Sequence, residues 1–184
     1  MKPPILAALC LTFLAPAAFA EELLRNGSFE AGESKWDIEG KAEPVAGPPP
    51  ALRLFLHEKK WTLLEQELDL PKDAASTITV VLQLEPSADF LPAAESKAYD
   101  AVDFAMGGSY GWTARVFPKA DFLITVRNSG GWDYRPVKIK QPGQPQEIKV
   151  AFEKVKFSKN QQITFALPPG AGSLLLKSCS ASLK

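Results

Sequence analysis

Between Thr77 and Leu84 the chain reads TITVVLQL, which puts Ile78, Val80, Leu82 and Leu84 in one alternating set and Thr77, Thr79, Val81 and Gln83 in the other. A period of two is the signature of a strand with one buried side, because successive side chains leave opposite faces of the pleat. The same alternation returns at Val102, Phe104 and Met106, at Phe122, Ile124 and Val126, at Ile148, Val150 and Phe152, and at Ile163, Phe165 and Leu167. Breaks rich in Pro and Gly separate these runs: GPPP from Gly47, DLPKD, LEPS, QPGQP and LPPGAG. Short strands punctuated in this way predict an all-β chain folded as a single β-sandwich. One segment departs from the pattern. In LPAAESKAY, Leu91 to Tyr99, Pro92 can occupy a first helical position ahead of good helix formers, which predicts at most one short surface helix.

The first twenty residues have a different character. Lys2 precedes an apolar stretch from Ile5 to Leu14, and the small residues Ala18 and Ala20 stand before EELL. That arrangement reads as a secretory signal peptide over 1–20, leaving one domain over 21–184 that is secreted or periplasmic. A membrane-spanning helix needs about 20 apolar residues, and Pro16 interrupts this run well before that. Cys10 also raises a lipoprotein reading, but Leu9 stands where a small residue would be needed. Once the leader is removed, Cys179 has no intrachain partner, so it is either a buried, hydrophobe-like thiol or the site of an intermolecular disulfide.

Charge and rare residues exclude several function classes. With 21 basic and 21 acidic side chains the formal charge is zero, so nucleic-acid binding driven by counterion release is not expected. His57 is the only histidine, which excludes zinc sites built on two or three imidazoles, and its place at a strand end predicts local hydrogen bonding. The two cysteines make neither a four-thiolate zinc site nor a CxxC pair. GAGS at Gly170 lacks the lysine and the helix of a phosphate loop.

The opening of the mature chain, LLRNGSFEAGESKW from Leu23 to Trp36, resembles the first strand of galactose-binding-like jelly rolls, the β-sandwich of several secreted carbohydrate-binding module families. LEQELDLP, Leu64 to Pro71, resembles their Gln-containing strand, and SLLLKSCSASL, Ser173 to Leu183, resembles their closing strand. The resemblance implies a jelly roll with a glycan or polysaccharide ligand. It also implies a structural calcium held by backbone carbonyls, by Glu30 of NGSFE and by an acidic residue near the closing strand. Cys179 and Ser180 stand at the acidic places, so calcium is expected to add little. NGS at Asn26 is formally a glycosylation acceptor, but the same letters belong to a tight bend of the resembled segment.

For ligand chemistry, GGSYGWTARVF and NSGGWDYRP present Tyr110 with Trp112 and Trp132 with Tyr134, beside Asn128, Asp133 and Arg135. A sugar ring packs its C–H face on a flat aromatic while its hydroxyls need fixed polar groups, so these seven residues form a candidate saccharide platform. The competing account makes some of the aromatics core plugs. Trp36 and Trp61 are assigned to packing, Trp61 because alternation ranks it with Leu63. An enzyme is not expected. Glu65, Glu67 and Asp69 share one face of a strand at glycosidase-like spacing, but that carboxylate row reads as a solvated face. A non-catalytic saccharide-binding domain therefore leads, with a β-sandwich that binds a protein partner or assembles in an envelope as the alternative.

Overall fold

The computed structural model of the chain describes residues 22–68, 75–92, 120–128, 131–156 and 161–183. Twelve strands run through these residues: β1 (Asp37–Glu39), β2 (Lys41–Val45), β3 (Ala51–Phe55), β4 (Thr62–Glu67), β5 (Ala75–Pro86), β6 (Leu91–Pro92), β7 (Phe122–Asn128), β8 (Gly131–Val137), β9 (Gln146–Lys156), β10 (Gln162–Leu167), β11 (Gly170–Ala171) and β12 (Ser173–Leu183). They form two five-stranded antiparallel sheets, ordered β1-β4-β10-β7-β8 and β2-β3-β12-β5-β9, and β11 pairs with β6 as a small third ladder. Among the described residues there is no helix, so the expected all-β sandwich is what the chain forms.

Alternation decides which side chains meet between the sheets. Ile78, Val80, Leu82 and Leu84 of β5 are buried, as are Phe122, Ile124 and Val126 of β7 and Ile163, Phe165 and Leu167 of β10. These sets pack into one core with Leu52 and Leu54 of β3 and Leu174 and Leu176 of β12. Two bulges adjust the phase. In β12 the register against β5 shifts between Leu176 and Ser178, so Cys179 and Ala181 face inward although Cys179 follows Leu176 by three positions. The β5–β9 ladder shifts between Ser76 and Ile78, and Lys154 at φ 55° is the extra residue that lets Phe152 and Val155 both enter the core.

Each lateral side of the sandwich is closed by a different device. On one side the chain passes from β1 directly into β2, which belongs to the opposite sheet, through Gly40 at φ 114°. A Cβ on Gly40 would stand 2.7 Å from Thr62 Oγ1, so both conformation and space demand glycine there. On the other side, edge strands β8 and β9 are joined by Arg135: its Nε donates to the Ala151 carbonyl at 2.8 Å, and its guanidinium lies 4.7 Å from the Phe152 ring centroid.

Two expectations need correction. The segment from Leu23 to Trp36 is a looped entry, not a strand, held to β12 through Leu23 N–H donating to the Ala181 carbonyl at 2.7 Å. Positive φ at Asn26, Phe29, Gly32 and Lys35 prevents extended pairing there. Leu91 and Pro92 pair with Gly170 and Ala171 as β6 and do not open a helix; Leu91 is the strongly exposed hydrophobe at 70%. The strand expected at Val102 to Met106, the rest of the expected helix and the leader over 1–20 lie outside the described residues.

Candidate functional site

The outward face of β1-β4-β10-β7-β8 is built of transverse rows fixed by register. One row runs Glu39, Leu63, Ala166, Leu123, Pro136; the next runs Asp37, Glu65, Thr164, Thr125, Tyr134. A third sets Glu67 level with Gln162 and Arg127 level with Trp132. Leu63, Leu123 and Ala166 are buried together with Trp61, and Ala120 and Tyr134 pack against them. Thr125 and Thr164 are buried as well. The third row, by contrast, is open: Glu67 and Arg127 are exposed, Gln162 and Trp132 half-buried. Trp61 is thus a packing residue as expected, though on the outer face, and its indole Nε1 has no hydrogen-bond partner among the described residues.

A pocket of about 410 Å³ opens at the β1–β4 end of this face, lined by Arg25, Lys35, Trp36, Asp37, Glu65, Gln66, Glu67 and Gln162. Its back wall is rigid. Gln66 accepts from Arg25 N–H at 2.6 Å and donates through Nε2 to the carbonyls of Arg25 and Lys35 at 2.9 and 3.0 Å, which uses both amide hydrogens. Trp36 packs its ring on Phe29 and Phe165, each at 6.0 Å between centroids, and donates Nε1 to the Asn26 carbonyl at 3.2 Å. Glu65 accepts the Thr164 hydroxyl at 2.8 Å. Burial, with the like charges of Asp37 and Glu39 in support, raises its carboxyl above the ordinary range, against the lowering effect of hydrogen bonds from Thr164 and Gln162. The expected solvated row is therefore corrected at Glu65, which lies half-buried, while Glu67 is exposed and Asp69 is outside the described residues.

The seven platform residues separate. Tyr110 and Trp112 lie outside the described residues. Asn128 ends β7 opposite Gly131. Strand alternation in β8 puts Trp132 and Tyr134 on the outward face and Asp133 and Arg135 on the side toward the opposite sheet. Trp132 has the Arg127 guanidinium 5.7 Å from its ring centroid. Arg135 is occupied by Ala151, Phe152 and the Tyr134 carbonyl, the last at 2.8 Å from Nη1, so it braces β8. Sequence reasoning missed Arg127 and Gln162; the available signal was their position on the outward parity of strands already recognised. His57 behaves as expected, its Nδ1 accepting from Lys59 and Lys60 N–H at 3.0 and 3.2 Å.

Of the ligands implied for calcium, the structure describes Glu30 and the loop carbonyls. Glu30 is exposed on a turn, and among the described residues no group of three or more His, Cys, Asp or Glu gathers. Two loop carbonyls accept from within the loop: Asn26 Nδ2 donates to Gly32 and Ser34 carbonyls at 2.9 and 2.8 Å, and its Oδ1 accepts from Ala31 N–H at 3.1 Å. The Asn26 amide thus organises the loop from within.

Solved structures similar to this chain include TmCBM61 in complex with β-1,4-galactotriose, at a TM-score of 0.57 and 17% identity over 90% of this chain and 100% of that one. The CBM22-1 xylan-binding domain from Paenibacillus barcinonensis Xyn10C gives a TM-score of 0.54 and 13% identity over 89% and 95%. The chain shares the β-sandwich fold of these carbohydrate-binding modules, as the expected jelly roll requires. The same carbohydrate-binding-module fold also matches 21% of the enzymatically active domain of bacteriophage CBA120 tailspike protein 4, at 10% identity, a TM-score of 0.58 and 89% coverage of this chain. Identities this low carry the likeness to the fold, and ligand chemistry belongs to the residues of each module. No protein-family model and no curated protein matches the chain.

Proposed function

We propose that this chain is a non-catalytic saccharide-binding module that takes its ligand on the outward face of β1-β4-β10-β7-β8. The observation that carries the reading is the open row of Glu67, Gln162, Arg127 and Trp132, with the pocket at one end and a half-buried indole at the other. A planar ring meets the apolar side of a sugar, and amide, guanidinium and carboxylate groups meet its hydroxyls. Three strand intervals separate β4 from β8, about 14 Å, which suits several linked rings. The neighbours solved with β-1,4-galactotriose or described as xylan-binding support galactans and xylans as first ligands. Calorimetric titration against galacto- and xylo-oligosaccharides tests this. Trp132→Ala is expected to weaken binding at least about tenfold with little change in melting; an unchanged affinity overturns the site.

One observation favours a second reading, glycoside hydrolysis. Glu65 has the raised carboxyl that a general acid needs, and Glu67 follows on the same face about 6.6 Å along the strand. Product analysis after long incubation separates the two, since a binding module returns its ligand intact. The leader-like first twenty residues support export, with the mature chain beginning at Glu21. N-terminal sequencing of the exported protein checks this, and a lipidated Cys10 at its start overturns it.

A further inference from the structure

Glu65 stands at the floor of the pocket with charged groups on several sides. From β1 it faces Asp37 and Glu39; on its own strand Glu67 is the next residue of the same face; from the entry loop Arg25 and Lys35 line the pocket. From β10 come Thr164, whose hydroxyl donates to it at 2.8 Å, and Gln162, neither of them titratable. Lateral burial and two like-charged neighbours disfavour its anion, and the two hydrogen bonds only partly offset this.

A ligand entering the pocket removes the water that still solvates this carboxyl. An uncharged polyol brings no cation in exchange, so the remaining solvation of the anion is lost while Asp37 and Glu39 stay in place. The neutral acid loses far less. It also gains a role that the carboxylate lacks, since a protonated carboxyl donates as well as accepts and can pair with a ring or hydroxyl oxygen.

We propose that Glu65 is a ligand-binding residue of this pocket that enters the complex as a neutral carboxylic acid, so that binding of an uncharged saccharide takes up a proton. The inference rests on the saccharide-binding reading and adds a proton to it. Linkage sets the scale. Where a full proton is taken up, affinity falls about tenfold for each unit of pH increase, and less for partial uptake.

The test is calorimetry of the full chain at pH 5, 6 and 7 with neutral galacto- and xylo-oligosaccharides, each in two buffers of different ionisation enthalpy. The expected result is net proton uptake with these probes and affinity declining toward pH 7. Glu65→Gln keeps a neutral donor and acceptor at this place, so it should bind neutral probes with no proton uptake and a flat pH profile. Its fold is checked by melting, which at pH 7 should not fall, because the anion it removes is disfavoured in the folded state. Binding of neutral probes without proton uptake, or uptake that persists in Glu65→Gln, overturns the inference and leaves saccharide binding standing. Absence of binding by any probe at every pH overturns both.

Discussion

The outward face of β2-β3-β12-β5-β9 carries ion pairs between Lys41 and Glu43 at 2.9 Å and between Lys177 and Glu85 at 2.6 Å, and Gln83 donates to Glu147 at 2.6 Å. The outward face of β1-β4-β10-β7-β8 instead buries Trp61, Leu63, Leu123, Thr125, Thr164 and Ala166, and leaves only its edge and one end row polar and open. Both sheets have the same strand count and share one core. The first face is the ordinary solvated back of an antiparallel sheet. The second departs from that rule at several positions, and departures of this kind mark the places where a sheet does more than close a core. Fold alone does not choose between the two faces; their side chains do.

The sharpest way to break this contrast is truncation on each face. Trp61→Ala should cost about 3–5 kcal/mol of stability, as a core aromatic does, whereas Lys177→Ala on the opposite face should cost under about 1 kcal/mol. Chemical denaturation measures both, and equal costs would erase the distinction. A smaller effect is expected at the seam between the sheets. Arg135→Met keeps the aliphatic stem but removes the bonds to Ala151 and Tyr134 and the contact with Phe152. A loss of about 1–2 kcal/mol is expected. The same variant sharpens the comparison if it weakens saccharide binding through β8, since Arg135 faces away from Trp132. The smallest effect concerns metal. Because Asn26 already donates to two loop carbonyls and Glu30 stands exposed, a chelator should shift the melting temperature by less than about 1 °C, whereas a calcium held at a hundred times its dissociation constant would supply about 2.7 kcal/mol.

Much of the fold was legible because burial writes itself into alternation. Ile78 to Leu84, Phe122 to Val126 and Ile163 to Leu167 declare their inward sets without any knowledge of their neighbours. The bulges were not legible. Leu176 and Cys179 share a face only because the ladder slips between them, and nothing local in LLLKSCSA marks the slip. Nor does alternation tell which outward set will be covered: Leu123 and Thr125 of β7 read as an outward pair, and their burial depends on what the fold brings over them. The candidate site divides along the same line. Composition singles out Trp132 and Tyr134 as candidates, but strand parity sends their neighbours Asp133 and Arg135 to the opposite face. The pocket at Glu65 was legible only as a spacing of carboxylates. Arg25 and Lys35 of its lining come from the entry loop, which Asn26 and Gln66 hold in a shape that a propensity argument does not foresee.

Cys179 lies in β12, the middle strand of its sheet, with 4% of its surface exposed. Gly27 is pressed against it so closely that a Cβ there would stand 2.0 Å from the Cys179 carbonyl oxygen. Burial and the nearby Glu22 push its thiol well above the ordinary range, so the reactive thiolate is suppressed as long as the strand stays seated. A thiol reagent in solution therefore meets this sulfur only when β12 detaches. The rate at which an alkylating label accumulates on Cys179 becomes a clock for the opening of the whole sandwich, readable at a single atom without denaturant. The same shelter holds the Cys179 thiol back from disulfide exchange, so in the folded chain it is poorly placed to cross-link to another molecule.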